Sequence, residues 1–208
     1  MSRLWQKPAV LVAITAVLML GAGLAVGWVG AASTPGNDSA EAGFARDMQT
    51  HHQQAVAMAM HEWQNGEDEA MRAIAYDIAT AQSAEIGMMR SWLREWDVQM
   101  SSSEPMAWAG DEHDHGSEDG GLMAGMATDE EMAEFQRLTG YEADVMFAEL
   151  MIAHHIGGIE MAEIVVDLSD DETVVEAAQR MVTVQQSEIS NMQGHHDRIL
   201  SAADEGTA

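Results

Sequence analysis

The feature that most constrains this chain is an internal repeat, because shifting the sequence by 103 residues superimposes one histidine-rich segment on another. Of the 46 positions from Phe44 to Met89, fifteen are identical to their partners between Phe147 and Met192, without a gap. Such a match in one register indicates duplication of a structural unit. The fold should therefore contain two copies of that unit, related by approximate two-fold symmetry.

Each copy of the repeat has the pattern of two helices. Long helical patterns run over about 39–64, 67–98, 141–168 and 169–202. Capping boxes, in which a Ser or Thr and a Glu three residues later bond each other's backbone, are predicted at Thr128–Glu131 and Ser169–Glu172. The first of these opens a short helix to about Leu138. Because no run of alternating β-branched residues is apparent, we predict an all-α four-helix bundle made of two hairpins.

The N-terminal segment predicts export from the cytoplasm. Arg3 and Lys7 precede an uncharged apolar run from Pro8 to Val29. A run of this length is long enough to cross a bilayer, and the small residues that follow it could be cut by a signal peptidase. Residues 1–32 are therefore either a cleaved signal peptide or a transmembrane anchor. The remainder is expected outside the cytoplasm, membrane-anchored, periplasmic or extracellular.

The rest of the chain divides by composition and periodicity into a linker and one duplicated domain. The predicted bounds are a linker at 33–40 and a helical-bundle domain at 41–202, which comprises repeat 1 (41–98), a His/Met-rich loop (99–127) and repeat 2 (128–202).

Charge and cysteine content exclude several classes of function. The chain has 35 acidic against 9 basic residues and a net charge of −26, so it should repel nucleic acids. It has no cysteine, which excludes disulfide scaffolds, thiolate metal sites and thiol nucleophiles.

Helical periodicity places polar residues of the repeat on core-facing positions. His51 and His52 share an arc of roughly 120° with apolar residues of the first helix, and Glu85 lies on the core-facing side of the second. Neighbouring methionines lie within about one turn of a His or Glu. The candidate metal ligands are Met48, His51, His52, Glu85 and Met89 in the first copy, and Met151, His154, His155, Glu188 and Met192 in the second.

Two interpretations of these inward polar residues stay open. The glutamates could hydrogen-bond the histidines in a structural network, or the histidines could bind a metal that the glutamates coordinate or help to orient. Thioether with imidazole, and no thiolate, favours Cu(I), while Cu(II), zinc or iron remain alternatives. A ferritin-type di-iron site is disfavoured, because the one Glu-x-x-His spacing, Glu112 to His115, lies in the loop.

The loop and the end of the last helix supply weaker candidates. A flexible segment would gain no packing from methionine, so its His and Met residues indicate a metal-capture arm; the alternative is an acidic linker with incidental His and Met. These weaker candidates are His113, His115, Met123, Met126, His195 and His196.

The two His-pair motifs resemble a known family. Residues 44–52 (FARDMQTHH), the pattern Gln82-x-x-Glu85-Ile86-x-x-Met89, and the second motif at 151–155 (MIAHH) are similar to the signature of the domain-of-unknown-function 305 (DUF305) family. The resemblance covers roughly residues 41–200. It implies a ferritin-like four-helix fold, and some members are described as periplasmic copper-binding proteins. The second copy departs from the first at Gly157-Gly158 and at Gly194-His195-His196.

The leading functional hypothesis is an extracytoplasmic copper-binding protein that sequesters or delivers the metal. A metal-dependent oxidoreductase of ferritin-like type and a structural or interaction bundle without metal are the alternatives. The expected partners are metal ions and, if the leader is not cleaved, a membrane; nucleic acid is not expected, and self-association into a homo-oligomer stays open.

Overall fold

The structure, a computed structural model, describes residues 34–110 and 122–206. The helices are α1 (Ala40–Asn65), α2 (Glu69–Glu95), α3 (Asp129–Phe135), α4 (Tyr141–Leu168) and α5 (Glu172–Gly206), and these described parts contain no strand. The all-α prediction is confirmed. Within the same residues no helix is long and apolar enough to cross a membrane. The predicted leader at 1–32 lies outside the described residues.

The four long helices pack as two hairpins. Helix α1 lies against α2, α4 lies against α5, and the two hairpins meet mainly where α1 packs on α4. The helices that carry the two His pairs are therefore the ones in contact at the centre of the bundle.

Local capping explains where the helices begin. The capping box at Thr128 and Glu131 is present, as predicted. The box predicted at Ser169 is wrong, because the Ser169 hydroxyl oxygen accepts from the backbone N–H of Asp171 at 3.0 Å rather than from that of Glu172, while its hydrogen goes to the Glu41 carboxylate at 2.7 Å. The Asp171 side chain accepts instead from the backbone N–H groups of Thr173 and Val174, at 2.9 and 3.2 Å. Helix α5 therefore begins at an Asp cap.

The buried methionines form two clusters that the duplication relates. The first methionine cluster contains Met48, Met89 and Met161, and the second contains Met151, Met192 and Met58. The repeat pairs Met48 with Met151, Met89 with Met192 and Met58 with Met161, so exchanging the two copies converts one set into the other. Each cluster draws methionines from both hairpins, so the repeat units stabilise one another across the α1–α4 interface.

A pair of buried carboxyl groups joins the two hairpins near the α1–α2 turn. The Asp144 carboxylate on α4 accepts from the backbone N–H groups of Glu67 and Asp68, both at 3.0 Å. Glu62 on α1 is fully buried beside it, and burial followed by the neighbouring Asp144 carboxyl raises the pKa of Glu62 to about 9. At neutral pH Glu62 therefore keeps its proton and can donate it to Asp144, while Asp144 already accepts from the turn.

This pair makes stability depend on pH. The Glu62 side chain binds a proton in the folded state and loses it in the unfolded state at neutral pH, so the free energy of unfolding should fall as pH rises from 7 towards 9. Glu62→Gln supplies a neutral donor of similar shape. We expect it to be more stable than the wild type, by a margin that grows between pH 7 and 9, measured by urea unfolding. A margin that is constant with pH would contradict the shared proton.

Candidate metal centre

Four histidines lie buried at the α1–α4 interface. His51 and His52 on α1, and His154 and His155 on α4, expose at most 1% of their surface. The prediction from helical periodicity that both His pairs face inward is confirmed. We call these four residues the histidine quartet.

The outer two members of the quartet are each held by a glutamate of the same hairpin. The Nε2 atom of His52 donates to Glu85 Oε2 at 2.8 Å, and the Nε2 atom of His155 donates to Glu188 Oε2 at 2.8 Å. The two glutamate side chains keep 29% and 21% of their surface exposed. Each carboxylate can therefore remain solvated on one side while it fixes the orientation of an imidazole on the other.

The inner two members stack across the interface. The ring centroids of His51 and His154 are 3.7 Å apart, with an interplanar angle of 34°. The Nε2 atom of His154 donates to the backbone carbonyl of His51 at 2.9 Å, and the Nε2 atom of His51 donates to the carbonyl of Ala124 at 3.0 Å. The two hairpins are therefore joined by direct contact between the repeated histidines.

These hydrogen bonds determine which nitrogen carries the hydrogen. A carbonyl oxygen only accepts, so Nε2 is protonated in both His51 and His154. Burial, followed by the nearby His52 imidazole, lowers the pKa of His51 to about 3; burial also lowers the pKa of His154, with the His51 ring as the next cause. Both rings are neutral near pH 7, and each therefore has a lone pair on Nδ1.

The Nδ1 atoms of all four quartet residues lack a hydrogen-bond partner within the described part of the chain. A buried acceptor without a donor is unfavourable. The same atom is a ready ligand for a soft or borderline metal ion. The chemistry of the quartet therefore fits a metal.

Thioethers lie within a turn of the quartet and its glutamates. Met48 and Met151 precede the His pairs by three and four residues, while Met89 and Met192 follow Glu85 and Glu188 by four. All four methionines are fully buried. Among the described residues, no three His, Cys, Asp or Glu side chains are placed to hold one ion. A metal in the quartet would therefore need thioether sulfur or a turn of the imidazole rings to complete its coordination.

The end of the predicted loop covers the inner histidines, which the sequence did not indicate. Residues 122–128, here called the strap, lie against α1 and α4 (Ala124 accepts from His51, as above). The Gln54 side chain clasps the strap by donating to the Ala127 carbonyl at 2.8 Å and accepting from the Ala127 N–H at 2.7 Å. A Cβ added to Gly157 would lie 1.9 Å from the Ala124 carbonyl oxygen, so the glycine lets the strap approach α4.

The strap corrects the prediction of a freely flexible capture arm over 99–127. Met123 is only 6% exposed and belongs to the first methionine cluster, and Met106 and Met126 pack against that cluster. Core packing therefore does explain these methionines. His113 and His115 lie outside the described residues.

The remaining histidine pair, at 195–196, does not join the quartet. The Nδ1 atom of His195 accepts from Arg198 at 3.0 Å. The Nε2 atom of His196 lies 3.7 Å from Glu149 Oε1. This pair lies on α5 towards its C-terminal end, about two turns beyond Glu188.

Comparison with known families agrees with this arrangement. The family model described as "Domain of unknown function (DUF305)" matches residues 41–196. The chain belongs to the DUF305 family. The chain is 41% identical to a DUF305 protein from Streptomyces coelicolor that is described as a proposed secreted protein. The match covers 78% of this chain and 94% of that one, with a TM-score of 0.71.

Other solved structures share the DUF305 fold at lower identity. A DUF305 fragment from Deinococcus radiodurans is 27% identical over 79% of this chain and 99% of that one, with a TM-score of 0.65. CopM in its Cu(II)-bound form is 23% identical over 77% of this chain and 97% of that one, with a TM-score of 0.59, and it also has Cu(I)-bound and silver-bound structures. No curated protein matches this chain significantly.

The close approach of the strap to α4 is testable through its glycine. Gly157→Ala should force the strap away from α4 and lower the free energy of unfolding by about 1–3 kcal/mol, as overpacking does. Gly194→Ala is the matched control, since it lies in α5 with open space around an added Cβ. Removing glycine from that helix should stabilise the protein by about 0.5–1 kcal/mol. Equal effects of the two substitutions in urea unfolding would show that the strap does not press on Gly157.

Proposed function

We propose that this DUF305 protein binds copper as Cu(I) outside the cytoplasm and holds it or passes it on. The observation that carries the proposal is the histidine quartet, with four buried imidazoles whose Nδ1 atoms have no partner within the described residues. A quartet that served only to hold the helices together would leave these four nitrogen atoms buried and unsatisfied. A bound cation would satisfy them.

The donor set favours Cu(I) over harder ions. Neutral imidazole and thioether are the ligands that Cu(I) accepts readily, and the chain has no thiolate to offer. The two glutamates, bonded to Nε2 of His52 and His155, orient the rings for coordination through Nδ1. Because burial lowers the pKa of His51 to about 3, protons should compete for its lone pair only in strongly acidic solution.

The proposed ligands are divided between two related sets. Quartet nitrogens and the thioethers one turn away would bind the ion, and the glutamates would orient or complete each set. The proposed residues are Met48, His51, His52, Glu85 and Met89 for the first set, and Met151, His154, His155, Glu188 and Met192 for the second. Met123 and Met126, in and beside the first methionine cluster, are weaker candidates of the same site.

The comparisons support both the metal and the location. CopM, which shares the fold, has been crystallised with Cu(I), Cu(II) and silver. The Streptomyces coelicolor relative carries a description that proposes secretion, in agreement with the export predicted from the apolar run at 8–29. Whether the leader is cleaved or retained as an anchor does not change the ligand set.

The proposal predicts that quartet substitutions weaken Cu(I) binding. In the double variant His52→Gln/His155→Gln, each amide can still donate to its glutamate but offers no imidazole lone pair. We expect its Cu(I) affinity, measured anaerobically by competition with a chromogenic chelator, to fall at least about tenfold, which corresponds to about 1.4 kcal/mol. Cu(I) at about 100 times Kd should raise the wild-type Tm by roughly 5–10 °C.

His61→Gln is the matched control for these substitutions. The Nε2 atom of His61 donates to the Leu138 carbonyl at 3.0 Å, and its Nδ1 atom lies 3.2 Å from the Asn65 amide nitrogen, so both ring nitrogens are already partnered. This variant should bind Cu(I) like the wild type. If the wild-type Tm does not move with Cu(I), or if the control loses as much affinity as the double variant, the quartet is not the copper site. A rise in Tm with zinc or iron but not with Cu(I), if the double variant loses that rise, would assign the quartet to another metal.

A further inference from the structure

The two copies of the repeat differ most informatively at one pair of facing positions. In the second copy Glu149 on α4 faces His196 on α5, with Oε1 and Nε2 3.7 Å apart. In the first copy the same two positions hold Arg46 and Leu93. Arg46 donates to the Asn37 carbonyl at 2.7 Å, and Leu93 is fully buried. Only the second copy therefore presents a carboxylate and an imidazole to each other at this place.

The distance between these two groups suits a shared metal ion better than a hydrogen bond. At 3.7 Å the separation is longer than a nitrogen–oxygen hydrogen bond, and the quartet's own His–Glu pairs are at 2.8 Å. Two ligand atoms that are each about 2.1 Å from one ion lie roughly 3.4–3.7 Å apart at bond angles of about 110–120°. The pair is therefore already spaced for coordination.

The surroundings of His196 agree with a ligand role. Its Nε2 atom is buried and has no hydrogen-bond partner within the described residues, although 17% of the side chain is exposed. Its Nδ1 atom lies on the other edge of the ring, 3.8 Å from Asp197 Oδ1, so Glu149 is the carboxylate that faces Nε2. The Glu149 side chain is 61% exposed, so water can reach the remaining coordination positions.

We propose that Glu149 and His196 form a separate binding site for a divalent transition-metal cation of the Cu(II) or Zn(II) class. Carboxylate and imidazole with open water positions suit a borderline divalent ion, whereas the buried thioethers of the quartet suit a soft monovalent one. His196 is eight residues beyond Glu188 on α5, about 12 Å along the helix, and about one turn beyond Met192, so this site uses none of the side chains proposed for Cu(I). Met192 lies on the same face between them.

The chain itself supplies the substitutions that test the site. His196→Leu installs the residue that the first copy has at this position, and the fully buried Leu93 shows that the repeat accommodates it. We expect this variant to bind one Cu(II) fewer than the wild type in an aerobic titration. The electron paramagnetic resonance signal of the lost ion should carry nitrogen hyperfine structure.

Glu149→Gln, which removes the carboxylate charge, should weaken the same Cu(II) ion at least about tenfold. Glu160→Gln, an exposed substitution on the same helix with the same change of charge, should leave its affinity unchanged. Equal Cu(II) stoichiometry and affinity in His196→Leu and the wild type would overturn the proposal. So would an equal loss of affinity in Glu149→Gln and Glu160→Gln, because a general effect of charge would then explain the binding.

Anaerobic Cu(I) binding tests the quartet independently of the second site. The biological role of the second site rests on the proposed function. His196→Leu should keep the wild-type affinity for Cu(I), because the quartet is untouched. If the wild type binds Cu(I) at the quartet but His196→Leu binds as much Cu(II) as the wild type, only the second site is rejected. Protein without Cu(I) binding but with a His196-dependent Cu(II) ion would reject only the quartet.

Discussion

The arrangement of the bundle depends on how four buried imidazoles use one of their two ring nitrogens. Each Nε2 atom donates to a fixed oxygen: a glutamate for the two outer rings, and a backbone carbonyl of α1 or of the strap for the two inner rings. The acceptors fix the tautomer of the inner rings, and burial keeps those rings neutral. What remains is an Nδ1 lone pair on each inner ring, inside a core whose other polarizable atoms are thioether sulfurs.

Duplication explains both the symmetry of this core and its asymmetry. Two His–Glu pairs and two methionine clusters follow from one ancestral hairpin, and they meet because α1 packs against α4. The strap has no such partner: it crosses once and covers the inner rings from one side, with Gly157 leaving room for it. The pair formed by Glu149 and His196 is a second asymmetry. The copies therefore share their buried candidate ligands and differ where the bundle meets solvent.

The features of the fold and of the candidate site that the sequence could predict are those determined by the helical period and by the repeat. Both place His51, His154 and their neighbours inward, and they make Glu85 and Glu188 the facing partners. The position of the strap could not be predicted, because it is held through the backbone carbonyl of Ala124 and the backbone of Ala127. Backbone hydrogen bonds of this kind leave no pattern in the side chains. The predicted cap at Ser169 was wrong because its hydroxyl oxygen accepts from the Asp171 N–H, and Asp171 caps the helix instead. The raised pKa of Glu62 could not be predicted from the sequence, because it depends on burial and on Asp144, which is distant along the chain.

Nitrogen-15 magnetic resonance of protein labelled at histidine tests the central claim most directly, because it reports the state of each ring nitrogen. Long-range proton–nitrogen correlations on metal-free protein should show the rings of His51 and His154 neutral near pH 7, with hydrogen on Nε2 and a bare Nδ1. Adding Cu(I) without oxygen should shift the Nδ1 resonances of the quartet while the resonances of His61 stay in place. Hydrogen on Nδ1 of His51 or His154 in the metal-free protein, or quartet Nδ1 resonances that do not respond to Cu(I), would contradict the account.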